Sequence, residues 1–185
     1  MKDNVFKGSI IILMLLLFLI SVASVSSADD NNDNKDLDIL TLSKGGITIQ
    51  YPSSWGISQS TSNYSIMAIS KIDSVDGLGV GQVNINIEKK PIEGDDFETF
   101  VNDSYDKMKR DSSYKLVSSG GVSIDDIEGL EYVYTSTQGT SEKEHQAIWF
   151  EKGGQAYVIM YSAPISDFEK NLYVFDFVLS NIQIN

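Results

Sequence analysis

A chain of 185 residues, 42% of them hydrophobic, is long enough for one ordinary domain with its own core. Its 14 Lys+Arg against 26 Asp+Glu leave a net charge of −12 and no basic cluster to neutralise phosphates, which argues against nucleic-acid partners. The absence of Cys excludes thiol catalysis, disulfides, thiolate zinc sites and lipidation at a leader cysteine, and a single His leaves little room for metal or triad chemistry.

Lys2 and Lys7 flank a short positive start, and residues 10–20 (IIILMLLLFLI) form an unbroken apolar run that passes into small residues ending Ser26-Ser27-Ala28. This is the pattern of a secretory signal peptide over 1–28, with cleavage expected between Ala28 and Asp29, where Ser26 and Ala28 supply the small side chains a cut needs. The alternative is an uncleaved anchor. As a helix, residues 10–25 reach only about 24 Å, short of a hydrocarbon core of ~30 Å. Either reading places the rest of the chain outside the cytoplasmic membrane, secreted or at the cell surface, in contact with the membrane only if the N-terminal segment is kept. Removing Lys2, Lys7 and Asp3, a net +1, takes the remaining 157 residues from −12 to −13. Such a charge repels anionic headgroups.

Residues 29–38 (DDNNDNKDLD) hold a single apolar residue, and the stretch 29–45 is read as an acidic, solvated spacer. Asp29, Asn31 and Asp33 have the alternate spacing of a calcium loop, but its sixth and twelfth positions are Asn34 and Leu40 where Gly and Glu are needed.

From residue 46 the periodicity becomes informative. Ile47, Ile49 and Tyr51 alternate with polar residues up to Pro52, a strand ended by proline. Residues 64–72 are apolar on both alternate sets, as in a central strand, and Val83, Ile85 and Ile87 alternate with Asn84, Asn86 and Glu88, as in a strand with one wetter face. A helix is expected next, opened by Asp95 and Glu98 as a capping box and carrying Phe97, Phe100, Val101, Tyr105 and Met108 on one face. Strands follow over 114–118, 122–124, 130–137, 145–151 and 155–162, the last two joined by a tight Gly153-Gly154 hairpin. A second helix starts after Pro164, with Ser166 and Glu169 as its capping box and Phe168, Leu172, Phe175 and Leu179 as its stripe. Ile182 and Ile184 suggest a short final strand. The sum is an α+β fold, an antiparallel β-sheet flanked by helices, with Trp55, Phe100 and Phe175 expected to share one interior.

Little in this sequence carries chemistry. Gly77, Gly79 and Gly81 precede a strand and not the helix a phosphate loop requires. His145, between Glu144 and Gln146, is the sole candidate for a base near neutral pH, but it has no Gly-x-Ser-x-Gly partner and reads as an exposed residue at a strand's edge. Asp125, Asp126 and Glu128, like Asp95, Asp96 and Glu98, are read as turn and cap residues, although carboxylate pairs also serve glycoside hydrolysis. Trp149, Tyr132, Tyr134, Tyr157 and Tyr161 are read as cross-strand core. Asn63-Tyr-Ser65 and Asn102-Asp-Ser104 match the N-glycosylation sequon. No catalytic, metal or cofactor site is assigned.

The opening strand Gly46-Ile-Thr-Ile-Gln-Tyr51-Pro52-Ser-Ser-Trp55, the late hairpin entering Tyr161-Ser-Ala-Pro164, and the last helix leading to Ser180-Asn-Ile182-Gln-Ile184 resemble the PsbP-like family. The resemblance covers residues 46–185 and implies an α/β/α sandwich around an antiparallel sheet. That architecture is shared by photosystem II extrinsic subunits, by bacterial and archaeal exported proteins, and by a yeast nuclear-import factor. Known members act mostly as non-catalytic binding or assembly modules. Where the family often has an aromatic after the first glycine this chain has Ile47, and the segment before residue 46 is acidic where the plant subunit's is basic. The expected function is therefore an exported, non-enzymatic module for an unknown protein or small ligand outside the membrane. A carboxylate-dependent hydrolase and an acidic carrier of cations or small ligands are the alternatives.

Overall fold

The computed structural model describes residues 38–92, 94, 96–138 and 141–185. The leader, its Ala28-Asp29 cut site, the acidic segment 29–37 and Asp95 lie outside the described residues.

The spacer ends sooner than its composition suggests, because residues 39–44 are ordered as β1 (Ile39–Lys44). Gly45 and Gly46, at φ +61° and +84°, fold β1 back onto β2 (Ile47–Pro52), so that Leu42 pairs with Ile49 and packs on the core. A two-residue turn with both φ values positive matches the right-handed twist of the strands it joins, and glycine takes it without strain. The short terminal strand β10 (Gln183–Ile184) pairs with the other edge of β2. Tyr51 and Pro52 close β2, and after two residues Trp55 opens β3 (Trp55–Ile57) in the larger sheet. Tyr51 and Trp55 are both buried, so this motif anchors the crossing from one sheet to the other.

The larger sheet has seven antiparallel strands among the described residues. It comprises β3, β4 (Ser65–Lys71), β5 (Asn84–Pro91), β6 (Lys115–Ile124), β7 (Ile127–Gln138), β8 (Ser141–Lys152) and β9 (Gln155–Pro164), in the order β3-β4-β5-β9-β8-β7-β6. The two strands expected over 114–118 and 122–124 are one. As the edge strand, β6 is exposed along most of its length and needs no apolar alternation through Ser119–Gly121 to stay paired with β7. Gly129 of β7 is placed by close approach, since a Cβ there would fall on the carbonyl of Trp149.

Antiparallel register puts directly opposed residues on one face. Ile69, Ile85 and Tyr161 form one such row, and Ile87, Ile159 and Ile148 the next. This apolar face is covered by α2 (Ile165–Ser180), whose Phe168, Val174, Phe175 and Val178 are fully buried and which also packs on β2. The opposite face carries α1 (Phe97–Met108), which seats Val101 and Tyr105 on Ala147, Trp149 and Val158. Tyr105 stacks on Tyr132 with ring centroids 3.8 Å apart, and its hydroxyl accepts the indole N–H of Trp149 at 2.9 Å.

Two expectations about the helices are corrected. The cap of α1 is Asp96, one residue after Asp95, because its carboxylate reaches the backbone N–H of Thr99 at 2.9 Å. At α2 the capping position falls on Pro164, which fixes φ and starts the helix directly, so Ser166 lies inside the first turn and donates to Asp167. A third correction concerns the core. Trp55 and Phe175 share the α2-side cluster, whereas Phe100 packs with Trp149 on the α1 side, because the sheet separates the two interiors. Strand outweighs helix throughout, with one helix on each face of the large sheet.

Phe175, buried and packed against Tyr161 at 5.6 Å between ring centroids, holds α2 to the sheet. Phe175→Ala is expected to lower the unfolding free energy by about 3–5 kcal/mol in urea denaturation, and a loss below about 1 kcal/mol would show that α2 is not docked as described.

Candidate functional site

Among the described residues the buried polar side chains are Ser70, Asn86, Glu88, Lys143, His145, Ser162 and Asn171. All but Asn171, which lies on α2, point to the face that carries α1. With twelve residues, α1 reaches only the Ala147–Val158 end of that face. At the other end β5, β9, β8 and β7 present the row Asn84–Ser162–His145–Tyr134, of which Tyr134 meets Tyr105 of α1 edge-to-face at 5.7 Å between ring centroids. The loop Gln59–Ser62 and the segment around Val80 wall in a bay of about 310 Å³ over this row. Asp76 shapes that segment by accepting the backbone N–H groups of Leu78 and Val80 at 2.9 and 3.0 Å, which also holds its carboxyl below the usual range.

His145 is not at an exposed edge. Strand β8 runs between β7 and β9, and the ring is 9% exposed, stacked on Tyr134 at 4.7 Å. Its Nε2 lies 2.9 Å from Ser136 Oγ and its Nδ1 2.8 Å from Ser162 Oγ. Burial, with a smaller push from Lys143, takes its pKa from 6.5 to about 4, so the ring is neutral at pH 7. A neutral imidazole donates from one nitrogen and accepts at the other, so one serine accepts and the other donates. Ser162 stands where a hydrolytic triad would hold a carboxylate, so the orienting acid of such a triad is not in place.

Glu88 is the one carboxylate lining the bay among the described residues. Its Oε1 accepts from Asn86 Nδ2 at 2.9 Å and its Oε2 is 2.7 Å from Lys90 Nζ, while Asn86 Oδ1 accepts from Ser65 Oγ at 2.6 Å. Lys143 differs from Lys90. It is 3% exposed, lines the bay, and has no carboxylate within 4.0 Å among the described residues. Burial pulls its pKa down, and the more distant Asp76 partly restores it.

The residues singled out from sequence lie mostly elsewhere. Asp125 and Asp126 form the two-residue turn between β6 and β7 at φ +46° and +61°, and Asp125 accepts the N–H of Ile184 at 2.8 Å. Asp96 caps α1, and none of these acids lines the bay. No group of three or more His, Asp or Glu side chains placed to hold a metal occurs among the described residues. Asn63 is exposed in a turn, and Asn102 is exposed on α1, its amide oxygen accepting from Tyr132 at 3.1 Å. Tyr157 stacks on Phe150 and Tyr161 packs with Phe168, as core residues do. Sequence reasoning missed Lys143, Ser136 and Ser162. The alternation Asn84, Asn86, Glu88 was the available signal, since it marks a wet face on a strand that turns out to be central.

A broad antiparallel sheet with one helix on each face, and a short second sheet packed against the longer helix, defines a PsbP-type module. The family model described as PsbP-like protein matches residues 19–176, and the chain belongs to that family. Its fold is similar to that of the cyanobacterial PsbP, CyanoP, from Synechocystis sp. PCC 6803, with a TM-score of 0.57, 13% identity, and coverage of 85% of this chain and 98% of that one. It is also similar to LpqN of Mycobacterium tuberculosis, a protein described as involved in cell envelope biogenesis, with a TM-score of 0.54, 8% identity, and coverage of 82% and 93%. No curated protein matches the chain.

His145 gives the bay a pH signature. Its folded pKa is depressed, so below pH 6.5 the unfolded chain takes up a proton that the folded chain refuses until about pH 4. Stability is therefore lost as pH falls through this window, by about 3 kcal/mol at ~1.36 kcal/mol per unit. His145→Gln is expected to lose less stability than the wild type between pH 7 and pH 4.5 in urea denaturation. Equal losses would show that the ring is not buried neutral.

Proposed function

We propose that this protein is an exported, non-enzymatic binding or assembly module whose ligand, or the recognised group of a partner, seats in the polar bay. One observation carries the reading. Lys143, a buried residue with no carboxylate within 4.0 Å among the described residues, lines the bay beside a serine-held neutral His145, so a ligand of opposite charge seated there gains a counter-charge contact that the described residues do not supply. Membership of the PsbP-like family, whose known members act mostly as binding or assembly modules, supports the same reading, and so does the single carboxylate that lines the bay among the described residues, since a hydrolase of the paired-acid type needs two facing one another. Export rests on the apolar run at 10–20 and the small residues before Asp29.

Two experiments test the proposal. In a backbone-amide NMR survey of small polar fragments, saturable shifts are expected to cluster at Ser136, Lys143, His145 and Ser162, whereas shifts confined to other surfaces would reject the bay as the binding site. Mass spectrometry of the protein recovered from the native envelope is expected to find Asp29 at the N-terminus. An intact Met1 chain in the membrane fraction would contradict cleavage.

A further inference from the structure

The bay is locally unlike the rest of the molecule. The whole chain carries −12, yet among the described residues the charges lining the bay are one carboxylate and one ammonium, and the carboxylate is already engaged on both oxygens by Asn86 and Lys90. Lys143 is left as a buried cation facing the hollow, and around it Ser136, Thr137, Ser162 and Asn84 offer neutral donors and acceptors. A bay of about 310 Å³ has room for a ligand of monosaccharide size.

We infer that the bay takes a small hydroxylated monocarboxylate of the sugar-acid class, its carboxylate on Lys143 Nζ and its hydroxyls on the serine, threonine and asparagine side chains. The inference rests on the reading of the bay as the ligand site. One available ammonium matches one negative charge. A phosphate ester puts nearly two charges at pH 7 on one group, where the described lining residues supply the single ammonium of Lys143. A neutral sugar would bring Lys143 no counter-charge and so forgo a charge-assisted contact. Binding a carboxylate would also restore Lys143 toward its ordinary pKa, from which burial has lowered it.

The test is calorimetric titration of the exported protein with D-glucuronate, D-glucose and D-glucose 6-phosphate, with amide NMR reporting where each one seats. Saturable glucuronate binding in the bay is expected, with glucose and glucose 6-phosphate each weaker by about tenfold or more, as expected for loss or mismatch of a charge-assisted contact. Lys143→Met is expected to weaken glucuronate by a similar factor and so remove its preference over glucose. The wild-type comparison of the three probes stands even if that variant fails to fold. Equal or tighter binding of glucose or of glucose 6-phosphate, an unaffected Lys143→Met variant, or no binding of glucuronate would overturn the inference. If another fragment class then seats in the bay, the binding-site reading survives without the sugar acid. If all binding falls outside it, both fall.

Discussion

A sheet seven strands wide has two faces to cover, and among its described residues this chain brings only two helices to do it. That constraint organises everything else. The 16-residue α2 seals one face with Phe168, Phe175 and Val178, and the Ile rows of β4, β5, β8 and β9 are apolar because they lie beneath it. The 12-residue α1 seals only part of the other face, at Ala147, Trp149 and Val158. What remains is a patch of central sheet that no helix covers, and there the alternating positions turn polar: Asn84, Asn86, Lys143, His145 and Ser162. The bay is thus a product of helix length and strand register.

Much of this frame was legible in the residues. Spacings of three and four placed both helices, alternation placed β2 and β5, and Gly153-Gly154 placed the hairpin between β8 and β9. Other features were hidden for physical reasons. The acid-rich run before residue 39 suggested solvent for the whole stretch, yet β1 needs little burial of its own, because backbone pairing with β2 and the contact of Leu42 suffice. The sequence Glu144-His145-Gln146 suggested an exposed residue at a strand's edge. Its burial comes from β7 and β9 closing on either side, and Ser136 and Ser162 reach the ring from residues 9 and 17 positions away. Strand order decides such contacts, and strand order is a long-range property that local periodicity does not encode.

The polar bay is also a place where stability was not maximised. Apolar residues there would pack without desolvating a lysine or holding an imidazole neutral, and buried polar groups replaced together by apolar ones of similar shape often cost nothing. Sites that break the local rules of folding in this way are the ones expected to serve a ligand. Membership of the PsbP-like family accounts for the common sandwich, while fold alone does not fix what the uncovered part of one face does.

The most direct check is equilibrium denaturation at pH 7 of a variant carrying Ser136→Ala, Lys143→Met, His145→Phe and Ser162→Ala together. If these side chains are kept for binding, the variant is as stable as the wild type or more so. A loss of more than about 2 kcal/mol would mean that the polar row holds the sheet together and that the bay is architecture alone.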